Sequence, residues 1–451
     1  MVTVTVVTKF FYLCPMKFYN RETELQNLRA IQSASLQGSK MSMIVGRRRI
    51  GKTRLIIESL SGTTYLYLFV ARKEEKLLCE EFSNQIKETL GLNIYGEISR
   101  FKDIFALLMD YAERQPLSLV IDEFQEFNRI NPSVYSDMQN IWDRKKDQTQ
   151  MNLILSGSVF SLMKKIFENS REPLFGRANE RLHIKPFSVN TLKAIMEVNF
   201  PAYTPADLLA FYVFTGGVPK YVETFVDRQA LSYEGMLDEI FKENSIFLEE
   251  GKNVLIEEFG RDYTTYFSIL SLIAGSRTGR NEIESMLQKD VGGYITKLEQ
   301  EYQIIRKVQP MFAKPGSRNI KYEIEDKFLN FWFRFIYKNK GAVEIGNFAY
   351  LKSLVHRDFS TFSGHFLEKY FTEKLALSGE WSEIGSYWEN GFQNQIDIVA
   401  LNHLTKKALL VEVKMNPLKY SEKILQEKST HLQGHLKGFE VELKGMSLGE
   451  V

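Results

Sequence analysis

The sequence predicts an α/β protein. A doubly wound parallel sheet comes first, then a helix-and-hairpin module, then a smaller α/β domain at the C-terminus. Three observations carry this. Short apolar runs alternate with helical periodicities through the first half of the chain. A basic loop bracketed by glycines separates one such run from a helix. Near the C-terminus, two apolar runs flank a polar loop and carry carboxylates at matched positions.

Composition sets the bounds. A chain of 451 residues suits two to four domains, at about 100–200 residues each. With 44% hydrophobic and 25% charged residues, long disorder and collagen-like repeats are excluded. Fifty-eight basic residues face 56 acidic ones, so any nucleic-acid surface must be a local patch. Two cysteines, Cys14 and Cys79, cannot frame a disulfide fold, and no Cys-x-x-Cys pair offers a zinc site. That usage suits a reducing, cytoplasmic setting. No run of 18 apolar residues provides a membrane-spanning helix. Residues 1–15 lack a basic leader and a small-x-small cleavage site. They are expected to be a non-native or disordered extension, with Met16 as the natural first residue.

The first strand, Met43-Ile44-Val45, runs into Gly46-Arg47-Arg48-Arg49-Ile50-Gly51-Lys52-Thr53, and a helix opens at Arg54. This is the P-loop pattern in its strand–loop–helix context. Glycines let backbone N–H groups wrap a phosphate, and the helix N-terminus adds a favourable dipole. Lys52 is expected on the β- and γ-phosphates of ATP, and the Thr53 hydroxyl on Mg²⁺. Strands follow at Tyr65–Val70 and Ser118–Ile121. The second of these ends in Asp122-Glu123. Carboxylates at the end of a buried strand are costly unless they meet a cation or water. Asp122 therefore suits the metal shell, and Glu123 the base that polarises the attacking water. A fourth strand, Met151–Leu155, ends in Ser156, a candidate sensor of the γ-phosphate or simply a helix cap. Arg181–Pro186 completes five strands.

These residues, with Phe18-Tyr19-Asn20-Arg21-Glu22, Leu-Ser-Gly-Ser and Pro-Leu-Phe-Gly-Arg, resemble the archaeal-type AAA ATPases over residues 16 to about 230. The resemblance implies ATP as ligand and an ATPase domain over residues 16–235. It implies that Gly216-Gly217-Val218-Pro219, with Gly217 and Pro219 in the nucleotide set, lies near the nucleotide and reports its state to the next domain. It also makes Arg177 a candidate arginine finger. AAA relatives often form rings, so a homo-oligomer is an outcome to test.

Residues 236–330 read as three helices and a β-hairpin, the winged-helix order. Residues 253–325 carry ten basic and ten acidic side chains. The hairpin concentrates Arg306, Lys307, Lys314, Arg318 and Lys321 with no acidic residue among them. Such a wing suits DNA phosphates, or else the module merely packs beside the ATPase domain. The aromatic run Phe328–Phe335 is too dense for an exposed face and reads as a packing helix.

The tail, residues 331–451, places Glu368 on a helix, then Asp397 and Glu412 on two strands around Asn402–Lys407. The two carboxylates are equidistant from the loop centre, so a symmetric hairpin sets them side by side. Lys414 shares the face of Glu412. Carboxylate oxygens on an apolar hairpin suit Mg²⁺ or Mn²⁺, with Lys414 orienting water; a plain ion pair is the other account. The helix-Glu, strand-Asp, Glu-x-Lys order resembles the PD-(D/E)xK nuclease fold. The tail also resembles the domain of unknown function that commonly follows such ATPase domains. Together these imply an ATP-driven factor controlling a DNA-binding or nuclease-like domain. The alternative is a nucleotide-dependent signalling or scaffold switch with an inactive tail.

Overall fold

The computed structural model describes residues 18–259, 263–389, 391 and 393–451. The extension expected over residues 1–15 lies outside the described residues. The chain forms two compact units, one ending at Lys185 and the other running from Pro186 to Val451.

The first unit is built on five strands: β1 (Lys40–Val45), β2 (Tyr65–Phe69), β3 (Leu117–Asp122), β4 (Met151–Gly157) and β5 (Glu180–His183). Their order is β2-β3-β4-β1-β5, with every pairing parallel. Side chains alternate between the two faces of a strand, and here both faces are covered. Met41, Met43, Leu119 and Ile121 pack with Phe82, Phe101 and Phe105. Ile44, Val120 and Ile154 pack with Leu55 and Ile56 on the other side. β3 and β4 are buried at every position, hence their unbroken apolar runs. The carboxyl ends of β1, β3 and β4 lie side by side, where open parallel sheets bind ligands.

The second unit starts with helices. Pro205–Thr215 opens with a capping box between Thr204 and Asp207 and closes on Gly216 in the left-handed conformation. Helices Tyr263–Ala274, Arg280–Leu287 and Gly292–Thr296 lead to an antiparallel pair, β6 (Ile305–Val308) and β7 (Lys321–Ile324). The expected order of three helices and a hairpin is present. The aromatic segment is buried from Phe328 to Phe333, and the Trp332 indole donates to the Leu248 carbonyl at 2.9 Å. It packs rather than stacks bases. A 30-residue helix, Phe348–Leu377, then lies against a four-stranded sheet. That sheet comprises β8 (Glu383–Tyr387), β9 (Ile396–Asn402), β10 (Lys407–Lys414) and β11 (Glu440–Ser447), in the order β11-β10-β9-β8.

Part of the basic hairpin is already partnered. Arg306 bonds Glu323 at 2.9 Å and faces Glu325 at 3.3 Å. The Lys321 ammonium sits 4.3 Å from the centre of the Trp388 ring. The hairpin loop is stitched to the C-terminal sheet, with the Met311 N–H donating to the Ser386 carbonyl and the Trp388 indole to Asn319. Arg306 is exposed but taken up by these ion pairs, Lys321 is half-buried, and Lys307, Lys314 and Arg318 are exposed.

Glu323 is the keystone of this junction. Burial opposes its charge, yet Lys369 at 3.2 Å, His365 at 3.7 Å and Arg306 outweigh burial and hold the carboxyl down at about 2. Glu323→Gln is expected to cost about 2–3 kcal/mol at pH 7, because it strands Lys369 and Arg306. A depressed carboxyl stabilises above its ordinary pKa and loses that contribution as pH falls toward 2. The deficit measured by denaturant unfolding should therefore shrink as pH falls from 5 toward 2; a deficit independent of pH would contradict the charge account.

Candidate functional site

In the first unit, β1 delivers the loop and the helix Lys52–Ser59 receives it. Gly46 admits no side chain, since a Cβ there would lie 2.9 Å from the Ile184 carbonyl oxygen. Gly51 has φ 88°, the left-handed turn that starts the helix. Ile50 anchors the loop in the core, while Arg48, Arg49 and Arg54 are exposed and Arg47 is half-buried. Lys52 is buried, and its ammonium donates to the carbonyls of Gly46 at 2.8 Å and Arg47 at 3.3 Å. That holds the charge over the loop, at the place where phosphate oxygens would otherwise be its partners.

β3 brings the acidic pair to the same edge. The Thr53 hydroxyl donates to Asp122 at 3.3 Å, and the Tyr67 hydroxyl of β2 also donates to Asp122. Burial, then the Asp122 charge, push the Tyr67 phenol far above its usual range, so it stays a donor. Thr53 and Asp122 converge from separate elements, as the protein ligands of Mg²⁺ in a P-loop site must, and this pair would hold it. Bound Mg²⁺ would neutralise charge building on the phosphates.

Glu123 takes the left-handed conformation, φ 54°, which turns it off the strand. Its carboxylate accepts from the Ser158 hydroxyl at 2.8 Å and from the Gln125 amide. A carboxylate fixed by two donors at a strand's carboxyl end is placed to orient a water. Ser156 lies elsewhere than expected. It is fully buried within β4, its hydroxyl has no hydrogen-bond partner among the described residues, and Ser158 occupies the strand-end position beside Glu123. Strand length accounts for this, since β4 runs on through Gly157 and Ser158 is the first residue beyond it.

Arg177 is a loop staple in this chain. Its guanidinium bonds Asp143 at 2.6 Å and the Pro173 carbonyl at 2.6 Å. A finger role would require release from both. Gly217 and Pro219 belong to the second unit. Gly217 has φ 76°, its carbonyl accepts from the Phe187 N–H at 2.7 Å, and a Cβ would meet the Phe187 carbonyl oxygen at 2.4 Å. Pro219 opens the helix Pro219–Asp227.

The tail residues do come together. The β9–β10 register runs from Asn402↔Lys407 to Ile398↔Val411, one residue short of Asp397 and Glu412 on each strand. The Val413 N–H donates to Asp397 at 2.8 Å. Lys414 bonds Glu412 at 2.7 Å and lies 3.9 Å from Asp397. Burial, then the charge of Glu368 on the long helix, push the Asp397 carboxyl up to about 7, with Val413 and Lys414 opposing. One residue had no signal in spacing. Lys428, on the helix Glu422–Ser429, bonds both oxygens of Glu412 at 3.0 Å. Glu412 thus carries two ammonium groups. Among the described residues, no group of three or more His, Cys, Asp or Glu side chains is placed to hold a metal ion. The triad of Glu368, Asp397 and Glu412 is accordingly not a preformed three-carboxylate cage.

Comparison with known proteins follows the same division. A Walker-type ATPase of Pyrococcus abyssi superposes with TM-score 0.53 at 18% identity, covering 70% of this chain and 96% of that one. The ORC2 protein of Aeropyrum pernix aligns more loosely, with TM-score 0.48 at 16% identity over 73% and 95% of the two chains. Residues 18–225 match the family described as an ATPase domain predominantly from Archaea. An uncharacterised protein of Methanocaldococcus jannaschii is 30% identical over 412 residues, spanning 89% of this chain and 88% of the relative. The chain belongs to this archaeal ATPase family. Residues 332–425 match a second family, archaeal and bacterial proteins of unknown function, which takes in Glu368, Asp397, Glu412 and Lys414 but stops before Lys428. The family makes residues 18–225 an ATPase domain. No helix among the described residues is long and apolar enough to cross a membrane.

Proposed function

We propose that this ATPase hydrolyses ATP with Lys52, Thr53, Asp122 and Glu123, and that its nucleotide state governs a DNA-acting C-terminal domain. The observation that supports the reading is the convergence of Thr53 and Asp122 at 3.3 Å beside a Glu123 held by Ser158. Lys52 would grip the phosphates, and Thr53 and Asp122 would hold a divalent metal able to offset their charge. Glu123 takes the proton of the attacking water. The stretch from Gly216 to Pro219, with its two left-handed glycines, would carry the nucleotide state into the second unit. In the tail, Asp397 and Glu412 would hold Mg²⁺ or Mn²⁺, with Glu368 beside them and Lys414 orienting the nucleophilic water. Lys307, Lys314 and Arg318 would meet DNA phosphates.

A specific observation favours a second reading. Lys414 and Lys428 together neutralise Glu412, as in an ion-pair network that has replaced a metal. The chain is then a nucleotide-dependent switch whose tail binds a partner and cuts nothing.

One experiment separates the two. Purified protein is incubated with linear and supercoiled DNA and Mg²⁺ or Mn²⁺, with and without ATP. Lys314→Glu/Arg318→Glu runs in parallel with a filter-binding assay. Metal-dependent cleavage, with the double variant's DNA affinity lowered about tenfold or more and its salt dependence flattened, supports the DNA reading. Intact ATP turnover with neither cleavage nor DNA binding leaves the switch.

A further inference from the structure

The second unit holds a cavity of about 360 Å³, at the lower end of the range of small-molecule pockets. Its walls come from the helix Tyr263–Ala274, from β7, from the aromatic segment and from the long helix Phe348–Leu377. Lys321, Arg334 and His365 line it, together with the aromatic rings of Tyr322, Phe362 and Phe366. No residue of the P-loop or of the acidic pair belongs to these walls.

The charge balance of the lining is positive. Glu323 is its one carboxylate, and that charge is already met by Arg306 at 2.9 Å and Lys369 at 3.2 Å. Arg334 is paired with Asp358 only at 4.0 Å, the outer limit of an ion pair. His365 faces Glu323 at 3.7 Å and Glu368 at 3.8 Å. Lys321 lies over Trp388, and burial lowers its pKa, so its charge is held there at a cost that an anion would relieve. Guanidinium and ammonium groups with an imidazole suit phosphate oxygens. Aromatic rings in the same walls suit the face of a planar base.

We propose that this cavity binds a mononucleotide-sized organic phosphate, with Arg334 and Lys321 at the phosphate and Tyr322, Phe362 and Phe366 around the ring. The ligand would touch the hairpin and the long helix at once, and so fasten the module to the tail. None of Asp397, Glu412 or Glu368 lines the cavity, although Glu368 and Asp397 act electrostatically on Lys321 and Glu368 lies 3.8 Å from His365.

The test uses the full chain carrying Lys52→Ala, so that the P-loop does not contribute. Isothermal titration is run with the four ribonucleoside monophosphates, the matching nucleosides and inorganic phosphate. At least one monophosphate is expected to bind, with its nucleoside at least tenfold weaker. Arg334→Gln should weaken that binding at least tenfold. Thr361→Trp adds bulk at an exposed helical position on the rim and should block entry without disturbing the core. Melting temperatures confirm folding, and if Arg334→Gln unfolds, Thr361→Trp decides alone. Absence of binding by every monophosphate overturns the proposal. So does binding that ignores both substitutions, or a nucleoside that binds as tightly as its phosphate.

Discussion

Glu123→Gln is expected to leave ATP bound while cutting turnover by about 10²-fold or more. The amide keeps the size of the carboxylate and can still accept from the Ser158 hydroxyl, which now donates to Glu123 at 2.8 Å. It cannot take a proton. Asp122 is untouched, so the Thr53–Asp122 pair that would hold the metal survives. A binding titration with a fluorescent ATP analogue and a phosphate-release assay check the two halves. Lys52→Ala is the complementary variant and should lose binding itself, since it removes the charge poised over the loop. Full turnover in Glu123→Gln would remove Glu123 from the role of base. Full binding in Lys52→Ala would remove the loop from the role of phosphate cradle.

The parts of this site that were legible in the sequence share a property: local covalent spacing determines them. Gly46 to Thr53 is one continuous turn, and Asp122-Glu123 closes a strand whose apolar run is visible by itself. Even the approach of Asp397 and Glu412 follows from counting outward from a hairpin loop, because a two-strand register is local geometry. Tyr67 and Lys428 were not legible, while Ser158 stands in the Leu-Ser-Gly-Ser run, two residues beyond the expected sensor Ser156. Tyr67 reaches Asp122 only because β2 lies next to β3, and Lys428 reaches Glu412 only because a later helix packs on the sheet. Such contacts depend on element order, which no spacing in one chain records. The basic hairpin shows the converse limit. Five cations without an acid looked like an exposed wing, yet Glu323 and Glu325, on and just past the returning strand, claim Arg306, and Trp388 from far along the chain claims the position of Lys321. Charge counted along a segment says nothing about what folds against it.

Asp397→Asn is expected to stabilise the metal-free protein at pH 8 by ~2 kcal/mol and to have no effect near pH 3. The folded carboxyl is pushed up to about 7 by burial and by Glu368. Between its ordinary value and 7, the folded state keeps a proton that the unfolded chain has lost. Stability therefore falls as pH rises through that window, and above it a buried charge faces like charges. The amide accepts the Val413 N–H in the same way and carries no charge at any pH. A divalent ion would reverse this order. If Asp397 and Glu412 bind metal, Mn²⁺ at pH 8 should raise the melting temperature of the nucleotide-free wild type but not that of Asp397→Asn. Lys428→Ala should enlarge the Mn²⁺ response, because Glu412 then loses one of the two ammonium groups that compete with the ion. Equal Mn²⁺ responses in all three proteins would mean that the lysines are the natural partners of these carboxylates. The tail would then be a domain whose former metal site is held shut by its own charges, and the search would move from cleaved DNA to a bound partner.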